Sequence, residues 1–231
     1  MAHSPKRITR KDLRRPDQFV TFTGQLLNLV RHHRSASLIA LGVLVGALLF
    51  YGAWDLYQSR RNRLAAQEYA RALNLFHEQK YRDAMAPLTD LSESGPSIYR
   101  RLALLYLGNS HLALGDTKNA ASAFERLAGR ATKPDYLHQL ALLSLGHAHE
   151  KAGNLKEAAK NYLAAGQASG PFKEQAILAE ARTSAQAGDL KAALQAYRNY
   201  LTSFPGAERS GEISLRIREL EAKAEMAEKQ K

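Results

Sequence analysis

Two rules govern where apolar residues fall along this chain. Over residues 35–54 they form an unbroken block, SASLIALGVLVGALLFYGAW, with no charged position. As a helix this block spans about 30 Å, the thickness of a bilayer's hydrocarbon core. Arg31 and Arg34 stand before it; Tyr51, Trp54 and Tyr57 stand at its far end, where amphipathic rings favour a membrane–water interface. A helix buried in a soluble core would show a polar stripe over such a length. A cleaved signal peptide would carry a shorter apolar stretch, about 7–15 residues. Val45-Gly46-Ala47 resembles a cleavage site, but Leu48-Leu49-Phe50 continue the run past it. The pattern predicts one uncleaved transmembrane helix over residues 35–54. Upstream, Phe19, Phe22, Leu26, Leu29 and Val30 recur at helical spacing, predicting a short amphipathic helix on the inner membrane surface. Within the span, Gly42 and Gly46 stand one turn apart, the spacing that lets two helices approach closely. They are the candidate self-association motif, and a homo-oligomer is the assembly that it would support.

Beyond residue 60 the second rule takes over, and the chain repeats itself. LLYLGNSHLALGDTKNAASAFERL (residues 104–127), LLSLGHAHEKAGNLKEAAKNYLAA (142–165) and ILAEARTSAQAGDLKAALQAYRNY (177–200) align without gaps. EYARALNLFHEQKYRDAMAPLTDL (68–91) is a degenerate earlier copy. Gly115, Gly153 and Gly188, with Gln79 in the first copy, recur with a period of about 36 residues, and Pro96, Pro134, Pro171 and Pro205 keep the same period. Each glycine predicts a left-handed turn between two helices. Ala120, Ala158 and Ala193 are small where those helices cross, and Phe124, Tyr162 and Tyr197 fill the space one turn later. Gly108 and Gly146 make the matching close approach on the first helix. The prolines separate one hairpin from the next. Pro87 falls inside the second helix of the first copy and predicts a bent or frayed segment there. No strand-like alternation competes, so the fold class is all-α: one transmembrane helix, a solenoid of about four helical hairpins, and a polar C-terminal capping helix over residues 208–231. The domain boundaries follow: a basic arm over 1–34, the span over 35–54, repeats over 55–207 and the cap over 208–231.

Charge refines this picture. The chain carries a net charge of +11, which by itself suggests nucleic-acid binding. More than half of the excess sits in the first 34 residues, and the long remainder mixes both signs. That distribution fits a basic, membrane-proximal arm, and no nucleic-acid partner is expected. The tail's positive charge places the N-terminus inside and the repeats outside, although the arginines nearest the span do not decide, since Arg60, Arg61, Arg63 and Arg71 follow it closely.

Composition and motifs narrow the chemistry. The absence of cysteine excludes disulfides, thiol nucleophiles, iron–sulfur centres and cysteine-ligated zinc. His111 and His149 occupy a packing position of the repeat, while His147 and His149 fall on different helix faces. His32 and His33 flank the span. Glu219 and Glu221 belong to a solvated helix. No metalloprotease, P-loop, nucleophile-elbow or dinucleotide motif is present. No catalytic, metal or cofactor site is expected.

The repeats resemble tetratricopeptide repeats, whose pattern runs Leu-Gly, Tyr, Gly, Ala, aromatic, Pro. Leu107-Gly108, His111, Gly115, Ala120 and Phe124 carry the likeness in the second copy. In the third it rests on Leu145-Gly146, His149, Gly153, Ala158 and Tyr162. The fourth contributes Gly188, Ala193, Tyr197 and Pro205. The family's tryptophan is missing from every copy. The layout of basic arm, single span and repeats also resembles the YfgM-type ancillary subunits of the SecYEG translocon, through Tyr51, Trp54, Tyr57, Ala65, Ala66 and Tyr69. That resemblance implies a bacterial inner-membrane anchor and a periplasmic repeat domain that contacts translocon components or exported clients. The longer arm here departs from the short form of that family.

Phasing the first helices on the turn glycine places Tyr69, Leu73, Phe76, Leu102, Leu105, Asn109, Leu112, Leu140, Leu143, His147, Leu178 and Arg182 on the concave face as a mostly apolar protein-binding groove. Three functions stand open at this point: capture of client proteins beside a translocon, a scaffold for an envelope complex, or an enzyme with an unrecognised helical site.

Overall fold

The computed structural model describes residues 34–130 and 135–229. Residues 1–33 of the basic arm, with its amphipathic stretch, and Pro134 lie outside them. Among the described residues every regular element is an α-helix: α1 (Arg34–His77), α2 (Tyr81–Ser94), α3 (Ser97–Ala113), α4 (Thr117–Gly129), α5 (Tyr136–Lys151), α6 (Leu155–Gln167), α7 (Lys173–Gln186), α8 (Leu190–Ser203) and α9 (Ser210–Lys229). The chain divides into two compact units, residues 1–60 and 61–231.

In the first unit the described part is the opening of α1. Its most apolar window has a mean hydropathy of 2.1 and buries none of its surface. Among the described residues α1 alone is long and apolar enough to cross a membrane.

The second unit is a solenoid of hairpins. Each helix packs on its sequence neighbour from α2 to α9, and α3 also touches α5. Gly115, Gly153 and Gly188 take φ of 80°, 78° and 80°, the left-handed conformation expected of the hairpin turns. Gln79 makes the same turn in the first copy with φ of 61°. Asp116, Asp135 and Asp189 then cap the helices that follow, each accepting a backbone N–H three residues ahead. α2 continues through Pro87 as far as Ser94 instead of fraying, and Ala84, Leu88 and Leu91, buried on its inner face, hold it together.

Side-chain size explains how the helices meet. A methyl group built on Gly108 would stand 2.5 Å from the Phe124 ring, and one on Gly146 would stand 2.6 Å from the Tyr162 ring. Ala120, Ala158 and Ala193 are fully buried at the crossings. Four apolar clusters run along the unit. Ala103 and Leu107 of α3 join the first hairpin, Leu137, Ala141 and Leu145 of α5 join the second, and Ala176 of α7 joins the third. In the last cluster Ile213, Ile217 and Leu220 of α9 close over Ala193, Ala196, Tyr197 and Tyr200. Each hairpin therefore completes its core with residues from its successor, as stacked repeats require.

Two polar devices tie hairpins together. The Arg101 guanidinium donates to the Asp135 carboxylate at 2.6 Å, joining α3 to the start of α5. Gln139, fully buried on α5, donates to the carbonyls of Ala165 and Ala168 at 3.0 and 3.2 Å and accepts from the Phe172 N–H at 3.1 Å. It thereby closes the connection from α6 to α7.

Candidate functional site: a cleft on the inner helices

The repeat places one face of α3, α5 and α7 side by side, and α9, packed on α8, adds residues to the same opening. Between them lies a cleft of about 1020 Å³. Of the twelve groove positions expected from phasing, Asn109, Leu112, Leu143, His147, Leu178 and Arg182 line it. The others stand elsewhere. Leu105 is 9% exposed and belongs to the second hairpin's core, against which Leu102 and Leu140 also pack. Tyr69 and Phe76 join Tyr106 in an aromatic group, with ring centroids 5.9 and 5.1 Å from it, which extends to Tyr99 and Tyr81. Leu73 is half-buried on α1. Gly42 and Gly46 sit earlier on α1, with nothing within 4 Å of where a side chain would begin.

The cleft's fourth wall was not anticipated. Glu212, Arg216 and Glu219 of α9 line it beside Ile213 and Leu215. The signal is present in the sequence: 212, 216 and 219 form a helical stripe shifted by one position from the buried stripe of 213, 217 and 220. The lining is consequently mixed, with charge at the α9 end.

Hydrogen bonds organise that charge. Tyr162 donates its hydroxyl to Glu150 at 2.8 Å, and Arg182 reaches both oxygens of the same carboxylate at 2.9 Å. Burial, together with the bond to Glu150, pushes the Tyr162 hydroxyl above the ordinary tyrosine range, so it remains a donor. Arg209 pairs with Glu212 at 3.1 Å and Arg216 with Glu219 at 2.7 Å. Tyr200 donates to Glu174, another lining residue, at 2.8 Å. His147 is exposed in the cleft while His149 is half-buried, on separate faces. His111 lies 3.1 Å from the Asp116 carboxylate and so helps fix the turn at Gly115.

Two carboxyls away from the cleft are also displaced. The hydrogen bond from Arg101 holds Asp135 down to about 2. Burial on α7 pushes Glu180 up to about 7. Among the described residues no group of three His, Asp or Glu side chains gathers as a metal site would require.

A single-spacing stack of helical hairpins with a cleft across its inner helices defines an α-solenoid of the tetratricopeptide type. The sequence profile of the tetratricopeptide repeat-like domain family matches residues 32–170, more than half of the chain, and the protein belongs to that family. No curated protein matches the sequence. Among solved structures, the chain is similar to the nearly identical TPR-like repeats of a Podosopora anserina protein described as a kinesin light chain. The TM-score is 0.50 at 13% identity, covering 72% of this chain and 98% of that one. It is also similar to pilF of Pseudomonas aeruginosa, with a TM-score of 0.46 and 18% identity, covering 69% and 66% of the two chains. At these identities the likeness concerns the fold alone.

Proposed function

We propose that this protein is a membrane-anchored interaction module of the bacterial inner membrane. Residues 35–54 cross the bilayer once, with the basic arm (1–34) in the cytoplasm. The repeats (55–207) and cap (208–231) stand in the periplasm and bind translocon components or exported clients near the Sec machinery. The observation that carries this reading is the cleft on the inner helices of a repeat fold typically used for protein interaction. The basic tail supports the orientation, and the resemblance to YfgM-type subunits supports the place of action. Anchoring raises the effective concentration of the cleft beside emerging chains. Leu112, Leu143, Leu178, Ile213 and Leu215 offer it apolar contacts. No catalytic step is assigned.

One observation favours the scaffold reading as a second choice. The ion-paired Arg182, Glu212, Arg216 and Glu219 of the lining ask for matching polar groups in an occupant, which suits one defined partner better than varied segments.

A photo-crosslinking residue at His147 of the full-length protein in cells tests both, with Ser122, which is exposed and outside the cleft, as control. Varied adducts at His147 support client capture, one stoichiometric adduct supports the scaffold, and equal labelling at both sites refutes the cleft as the binding surface. Protease added to spheroplasts checks orientation: residues beyond 60 surviving while a periplasmic control is cut would refute the export model.

A further inference from the structure

Helix α1 carries an unusual block just after its apolar run. Between Asp55 and Glu68 the chain has three arginines and no acid. Arg60 and Arg63 are exposed on α1. By helical register they lie away from the face that Ala65 and Ala72 bury against α2 and α3. Among the described residues neither takes part in an ion pair or a side-chain hydrogen bond. Arg61 lies nearer the packed face and donates to the Ser94 carbonyl.

The block follows an aromatic belt. Phe50, Trp54 and Tyr57 are exposed, with ring centroids 6.4 and 6.3 Å apart in succession. Arg60 stands about 9 Å beyond Trp54 along the axis, and side chains on a helix lean toward its N-terminus. On this side of the apolar run that lean carries a long guanidinium stem back toward the run. With the aromatic rings at the edge of the hydrocarbon, Arg60 and Arg63 reach the headgroup layer, which is several ångströms thick. A guanidinium there meets phosphate oxygens in a fork geometry.

We infer that Arg60 and Arg63 form a binding site for the headgroup phosphates of anionic phospholipids on the C-terminal side of the span. The inference rests on the reading of α1 as a membrane helix. It also gives a reason for arginines on the side that the tail's charge assigns to the outside. They act as lipid ligands at that surface and do not set topology.

The chain's single tryptophan, Trp54, is a built-in reporter two turns away. The full-length protein is reconstituted in vesicles mixing phosphatidylglycerol with phosphatidylcholine, bromine being placed high on the acyl chain of one lipid or the other. The expected result is quenching of Trp54 that shows a preference for brominated phosphatidylglycerol of about threefold or more. The preference disappears in R60Q/R63Q, survives in weaker form in R60K/R63K, whose ammonium groups keep the charge but not the fork, and resists added inorganic phosphate. Equal quenching by both lipids in the unaltered protein, or an unchanged preference in R60Q/R63Q, overturns the inference while leaving the span intact. Competition by millimolar inorganic phosphate would overturn the lipid as the ligand. Trp54 unquenched by either lipid would overturn both the inference and the span.

Discussion

Gly108 and Gly146 each face an aromatic ring of the neighbouring helix, and that contact sets how closely the hairpin closes. A methyl group at either site displaces a ring packed on all sides, so Gly146→Ala is expected to cost about 1–3 kcal/mol, read from urea denaturation of the repeat-bearing chain. Gln79 marks the converse situation. Its φ of 61° strains any side chain, so Gln79→Gly is expected to stabilise by about 0.5–1 kcal/mol in the same measurement. Glu180 gives the chain a pH signature. Its carboxyl titrates near 4.5 when unfolded and about 7 when folded. Between those values the folded state holds a proton that the unfolded state has lost. Its contribution is therefore complete below the first and declines as pH rises through the second. Removing the carboxyl with Glu180→Gln is expected to flatten the fall in Tm from about pH 5 to about pH 8, worth a few degrees.

At the scale of elements, the caps and ties between hairpins carry the argument. Asp135 starts α5 by accepting from the His138 N–H at 2.9 Å and receives Arg101 from α3. Asp135→Ala removes both contacts and is expected to cost about 1–2 kcal/mol, with Arg101→Ala losing less because the cap survives. The folded carboxyl is held low, so this contribution is present above the ordinary value of 3.8 and fades as pH falls toward about 2. Acid titration of the unfolding midpoint checks it. The hairpins themselves were legible in the sequence, because glycine, alanine and aromatic positions recur wherever backbone or ring must fit the same space. Of the expected groove, the positions that line the cleft are Asn109 and Leu112 on α3, Leu143 and His147 on α5, and Leu178 and Arg182 on α7. Phasing finds which face of a helix turns inward. It does not tell whether a residue on that face is covered, as Leu105 is, or joins a separate aromatic group, as Tyr69 and Phe76 do. The α9 wall escaped for another reason: a cap has no second copy to align with, and only its own offset stripes record what it faces.

For the repeat unit as a whole, stability is shared between neighbours, since each cluster borrows residues from the next hairpin. Cutting the chain before Ser210 removes Ile213, Ile217 and Leu220 and exposes Ala196, Tyr197 and Tyr200. Hydrogen exchange is expected to quicken most in α7 and α8, and least in α2 and α3, in that truncated protein. Equal loss of protection throughout would mean that the unit melts as one block. Leu143 has a further consequence. It belongs to the core shared by α5, α6 and α7 and also lines the cleft. An occupant seated there presses on a side chain already holding three helices together. On the proposed function, recognition is thus wired into folding energy, and a genuine partner should announce itself, without any label, as an upward shift of the melting curve that grows with its concentration.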